Sequence, residues 1–264
     1  MNRALFLSTV QRTYRLFAIF TALILFYLLV IMGMYTSSLE TDPFAMLPEA
    51  MRNALGISAG LHGMTGFIAT GFYGVTFVVF MIILCIIAAN QLMANLVDRG
   101  SMAYFLATPI SRRKIALTQA AVLLSGLFLL TSITTVVGLI VGPILNDQDD
   151  FNRIAFIQIN VMGFLLFFAI SGYAFFFSTL FNESKQSLLS SGALSVVFYM
   201  FQLLSNMSND LKWLGRFTVL TFFKPAEIAV GSANLLPSII GLGMIGLLFY
   251  WGAIYVFKRR DLPL

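Results

Sequence analysis

Apolar residues in this chain fall into six long runs, separated by short polar or Gly- and Pro-containing breaks. The runs cover residues 16–34, 67–89, 115–141, 155–180, 187–204 and 237–257. An α-helix rises 1.5 Å per residue, so runs of ~18–27 residues suffice to cross ~30 Å of hydrocarbon. Strands of a membrane barrel would alternate apolar and polar positions over short stretches, and these runs are continuous. The pattern predicts an all-α polytopic membrane protein, one domain over residues 1–264, with six transmembrane helices. The first run is longer than the ~7–15 residues of a signal-peptide core, and no convincing small-residue cleavage pattern follows it. It reads as a retained anchor.

Composition agrees with the pattern. Apolar residues make up 59% of the chain and charged residues 10%, and the mean hydropathy is +0.91. Soluble domains carry about 25% charge, so this chain cannot build a charged skin. The hydrophobicity also excludes intrinsic disorder.

The few charges are unevenly placed. With both termini on the cytoplasmic side, the inside holds Arg3, Arg12, Arg15, Arg99, Arg112, Arg113, Lys114, Lys185, Lys258, Arg259 and Arg260. These face only Asp98, Glu183 and Asp261, a balance of +8. The outside loops and ends balance to −3. Such a bias of Lys and Arg in short loops sets membrane orientation. An even number of spans returns both termini to one side, in agreement. The basic balance thus reads as topology rather than as a nucleic-acid footprint.

The apolar runs contain no Asp, Glu, His, Lys or Arg. Proton-driven transporters and voltage sensors place such groups at membrane depth, so a proton relay is disfavoured. There is no Gly-Lys pair, hence no P-loop to bind ATP. One Gly-x-Ser-x-Gly match, Gly56 to Gly60, lies in a loop without the strand–turn–helix that a nucleophile elbow needs. His62 has no second histidine at ligand spacing, and the single cysteine, Cys85, reads as packing. No metal site and no catalytic set is expected.

The loops carry more information. Gly100 is placed to end the helix that descends from the second run. Ser101 is placed to cap a short helix over residues 102–107, which Pro109 stops. Ser111 is placed to cap the next helix, with Arg112, Arg113 and Lys114 at its entry. The short helix carries Met102, Tyr104, Phe105 and Leu106, a set suited to a membrane surface or a groove on a partner. Residues 43–55 show an apolar stripe that predicts a short helix in the first outer loop. Gly63 with Gly66, and Gly71 with Gly74, put small residues on similar helix faces and predict close packing. Residues 205–236 are too apolar for a solvated loop; Glu227 there has Lys224 and Arg216 as possible partners.

The stretch Asp98 to Lys114 resembles the segment after the second span in ABC-2 type permeases, the membrane subunits of ABC transporters. Asp98, Gly100, Leu106, Thr108, Pro109, Ser111, Arg112 and Arg113 occupy the family's positions. Asp98 and Ser101-Met102 stand where the family more often has Glu and Thr-Leu. Phe257-Lys258-Arg259-Arg260-Asp261 resembles the family's closing signature. The resemblance implies a cytoplasmic coupling helix near 100–107, docked on an ATPase through Asp98, Gly100, Ser101, Met102, Tyr104, Phe105, Leu106, Pro109, Arg112 and Arg113. It implies an amphipathic elbow helix over residues 2–15, and short re-entrant helices before the last span. It implies a path between two permease copies, homodimer or heterodimer, lined by the second and fifth spans. Thr76, Asn90, Ser191, Ser195, Tyr199 and Gln202 are the polar candidates there, and each could instead make an ordinary interhelical hydrogen bond. ATP and Mg would belong to the partner subunit and no cofactor to this chain. The expected setting is the plasma membrane, with lipid as a further partner. The expected function is ATP-driven export, and a charge-poor, Phe-rich lining suits an apolar or amphipathic substrate such as a peptide, an antimicrobial compound or a lipid-like molecule. A secondary transporter or channel with a charge-free path, and a non-transporting scaffold or immunity protein, are the alternatives.

Overall fold

The computed structural model describes residues 3–35, 63–106, 110–145 and 151–260. The predicted helix over 43–55, Ser58, Gly60, His62, Thr108, Pro109 and Asp261 lie outside them. The described residues contain helices and no strand. In chain order these are α1 (Arg3–Met34), α2 (Gly63–Gly71), α3 (Thr76–Leu92), α4 (Ala94–Asp98), α5 (Met102–Leu106), α6 (Arg112–Leu145), α7 (Arg153–Leu180) and α8 (Ser184–Met207). Two 3-10 segments, Asn209–Phe217 and Val219–Phe222, lead to α9 (Pro225–Ala229) and α10 (Leu235–Arg259). Six of these helical stretches are long and apolar enough to cross a membrane: α1, α3 with α4, α6, α7, α8 and α10.

Backbone hydrogen bonding explains why helices dominate. Hydrocarbon offers no water to an N–H or C=O, so each spanning segment must satisfy its own backbone. The helices then sort by what covers them. The apolar window of α3–α4 is 72% buried and that of α7 61%, against 17–28% in the other four. These two spans form the centre. α7 runs closest along α10 and also touches α3, α6 and α8, while α1 lies along α6 and against α3. Gly172 of α7 and Gly246 of α10 permit a close crossing. A Cβ on Gly172 would stand 3.2 Å from the Gly246 carbonyl oxygen, and one on Gly246 would stand 2.4 Å from the Phe168 ring. Small residues at a crossing bring helix backbones together where no hydrophobic effect drives association.

Two boundaries differ from those the hydropathy pattern predicts. The expected elbow at residues 2–15 and the first span form one unbroken helix, Arg3–Met34. No Gly or Pro occurs before Gly33, so nothing in the backbone separates the polar from the apolar part. Its buried residues Leu5, Thr9 and Thr13, then Ile24, Leu28 and Ile31, recur at helical spacing and keep one face on the bundle throughout.

The second run, by contrast, is broken at residues 72–75. The Tyr73 N–H donates to Ile68 O at 3.2 Å and the Phe77 N–H to Phe72 O at 3.1 Å, both wider than the helical i→i−4 pattern. Such widened turns open the ladder and leave polar backbone needing partners. Tyr27 of α1 supplies one. Its hydroxyl donates to Gly71 O at 3.3 Å and accepts from Thr76 Oγ1 at 3.2 Å. A Cβ on Gly74 would lie 2.5 Å from Thr70 O, so the break admits only glycine there. Phe72, Tyr73, Phe77 and Phe167 close ring to ring around it at 4.7–5.4 Å, contacts worth about 0.5–1.5 kcal/mol each beyond area. The Gly71–Gly74 spacing, read as a packing face, therefore marks a break.

The segments between α8 and α10 form a cap at the opposite end from the basic residues 112–114 and 258–260. Leu214, Val219, Leu220, Phe223, Ala226 and Ile228 are buried in it, and Trp213 and Phe217 stay exposed. Lys224 pairs with Glu227 at 2.8 Å on its surface, a bond that contributes little at that exposure.

Candidate functional site

The basic end of the bundle is where the chain between the second and third spans turns back. Here α3 stops at Met93, whose backbone departs from helix at φ −129° and ψ −72°. The stop frees the Ala94 N–H. Ser178 of α7 takes it at 2.9 Å and donates its own proton to Ala89 O at 2.8 Å. One buried hydroxyl thus bridges both sides of the helix break. The Asn90 amide, four positions before Ala94, donates to Ser184 Oγ at 2.6 Å, and the Ser184 N–H reaches Asp98 Oδ2 at 3.4 Å. The carboxylate of Asp98 therefore stands at the N-terminus of α8, where exposed N–H groups favour negative charge.

Gly100 ends α4 in the left-handed region, at φ +69°, with its N–H on Val97 O at 2.9 Å. A side chain there would be strained, so glycine sets the turn. The Ser101 hydroxyl donates back to Leu96 O at 3.2 Å. The five residues of α5 follow. Met102 is fully buried in the bundle, while Tyr104 is 80% exposed. The side chains of Phe105 and Leu106 lie outside the described set. Met102 thus seats α5 on the bundle, and Tyr104 faces outward.

Beyond the loop, Ser111 Oγ accepts the Lys114 N–H at 3.4 Å and caps α6 as its position predicts. Arg112 does not project freely like Arg113. Its guanidinium donates to Arg260 O at the end of α10. The Arg260 guanidinium in turn donates to Thr179 O at 2.7 Å and to Asn182 Oδ1. Partial burial lowers its pKa from the ordinary arginine value. Arg112, Arg260, Thr179 and Asn182 thereby tie the starts and ends of α6, α10, α7 and α8 into one joint. The sequence reading found Arg112 and Arg260 by their motifs. It missed Ser178, Asn182 and Ser184, because nothing in their local pattern points to partners some eighty residues away.

The six polar path candidates are scattered. Ser191 and Ser195 are buried, donate to the carbonyls of Ser187 and Ser191, and Ser195 meets the Tyr173 hydroxyl at 2.6 Å. Asn90 belongs to the basic-end joint and Thr76 to the break in the second span. Gln202 holds the cap: its Oε1 accepts from Thr221 at 2.8 Å, and Thr221 also donates to Gly215 O at 2.6 Å. Tyr199 is half-buried on α8 with no hydrogen-bond partner among the described residues. Five of the six thus have structural partners within the chain. Among the described residues, no cluster of His, Cys, Asp and Glu could hold a metal.

A bundle of six apolar spans with a turned-back basic loop defines a multi-pass helical membrane protein. Its sequence matches the family described as ABC-2 family transporter protein over residues 10–262. The chain belongs to that family. No curated protein and no solved structure matches it.

Proposed function

We propose that the chain is the permease subunit of an ATP-driven exporter. The observation that carries this reading is the seat of α5. A five-residue helix with its first side chain buried and Tyr104 exposed follows α4, to which Ser101 ties it through Leu96 O, and α4 in turn meets the start of α8 through Asp98 and Ser184. A partner seated on such a helix bears on α4, and through Asp98 on the start of α8. Both termini and the α5 loop lie on the cytoplasmic side, as the +8 and −3 charge balance supports. The partner is an ATP-binding cassette ATPase that brings ATP and Mg. Two permease copies form the path in the plasma membrane, with the sparsely covered face of α8 turned toward the second copy. The cargo is apolar or amphipathic, in keeping with apolar runs that contain no Asp, Glu, His, Lys or Arg.

The test is co-expression with a candidate ABC ATPase. Replacing Tyr104 and Phe105 together with Ala removes the exposed Tyr104 ring and the adjacent aromatic that the resemblance also assigns to docking. Expected is a loss of ATPase co-purification by about tenfold or more, as for truncated hot-spot residues, with membrane insertion and thermal midpoint unchanged. Undiminished co-purification overturns the docking role. Substrate flux by the purified chain without ATP overturns the export reading itself.

A further inference from the structure

At the basic end, a cavity of about 220 Å³ opens between α1, α3–α4 and α6. Thr9, Arg12 and Thr13 line it from α1, Gln91 and Leu96 from α3 and α4, and Gln119 from α6. Among the described residues, no carboxylate borders it. Gln119 is fully buried, and neither its amide nitrogen nor its amide oxygen has a hydrogen-bond partner among the described residues. An amide so placed carries a desolvation cost that a bound polar group would remove. The Thr9 and Thr13 hydroxyls have already spent their protons on Leu5 O and Thr9 O, at 2.8 and 3.0 Å. Arg12 is exposed and makes neither an ion pair nor a hydrogen bond among the described residues. The N–H groups available at the cavity are thus those of Arg12, Gln91 and Gln119.

The depth of the cavity matters as much as its donors. Arg12 lies one turn before Leu16, where the apolar part of α1 begins. Gln119 lies about one turn after Ile115, where the apolar part of α6 begins. The cavity therefore stands where hydrocarbon gives way to headgroups.

We propose that this cavity is a binding site for a phosphate-bearing anion, with Arg12 as the charged clamp and Gln119 as the buried hydrogen-bonding base. The planar guanidinium fork matches phosphate oxygens in pairs. The amides supply neutral donors and acceptors for the same group or its attached hydroxyls. Two sources offer this chemistry: an anionic lipid of the surrounding leaflet, and phosphate from solution.

The experiment uses the full chain in detergent, with phosphatidylglycerol, phosphatidylcholine or inorganic phosphate added. Bound lipid is read by native mass spectrometry and protection by the thermal midpoint. Arg12→Gln and Gln119→Leu are compared with Arg3→Gln, a basic residue of the same helix that does not line the cavity. Expected is selective retention of phosphatidylglycerol, lowered about tenfold by either cavity variant, the scale of one charge-assisted hydrogen bond, and unchanged by Arg3→Gln. Without any anion, Gln119→Leu is expected to melt no lower than the parent, because it removes the unpartnered amide. That result shows the fold is intact. Protection by inorganic phosphate alone, abolished by Arg12→Gln, would identify the source as solution and support the same site. Equal losses in Arg12→Gln and Arg3→Gln would mean diffuse surface charge and overturn the proposal. So would parent-like retention in both cavity variants, or no protection by any of the anions.

Discussion

Ser178 shows how much a single hydroxyl can hold at membrane depth. It satisfies both the donor freed by the break at Met93 and an acceptor one turn earlier. Ser178→Ala leaves the Ala94 N–H buried and unpaired, at a cost of about 1–3 kcal/mol. A lowered thermal midpoint in detergent is the expected outcome, and an unchanged midpoint would mean that water reaches the break. Asp98 teaches a related lesson. The resemblance to the family segment implies a docking role for it. The fold brings its carboxylate to the Ser184 N–H, a pairing across the chain that no local pattern displays. Gly100 was legible because its role is local: one positive φ ends one helix.

Among the helices, α7 and α10 depend on a glycine at their crossing. Gly172→Val places branched carbons within reach of the Gly246 backbone, which cannot move aside as a side chain would. We expect this variant to lose folded yield, or at least ~1–3 kcal/mol as in overpacked cores, measured by size-exclusion recovery and thermal unfolding. Gly243→Val, with open space at its Cβ, is the matched control and is expected to behave as the parent. Hydropathy made the spans legible, since the bilayer demands length and apolarity and little else. It could not show that the second run is interrupted, for Phe72 and Tyr73 are as apolar as their neighbours. Nor could it show that α1 is continuous, because a change from polar to apolar side chains alters the solvent of a helix and leaves its backbone bonds intact.

The whole molecule has an orientation that its charges predict and that chemistry can read. Cys85 is the only cysteine and is fully buried, so the native chain offers no reactive background to a membrane-impermeant thiol reagent. Lys258→Cys should label only from the cytoplasmic side and Trp213→Cys only from the outside. The reverse pattern would invert the topology, and labelling of both from one side would contradict the six spans. Between these two faces runs α1, 32 residues without interruption, about 48 Å of rod. Roughly 28 Å of it, from Leu16 onward, matches the hydrocarbon; the remaining ~20 Å stands beyond it. A hinged elbow would absorb a push at the membrane surface. A stiff rod converts the push into leverage: pivoting 10° about its middle carries each end through about 4 Å, in opposite directions. Tyr27, which holds the break in the second span, and Arg12, at the rim of the cavity, sit on the same rod. Unbroken helical backbone therefore joins these two points, some fifteen residues and two solvents apart.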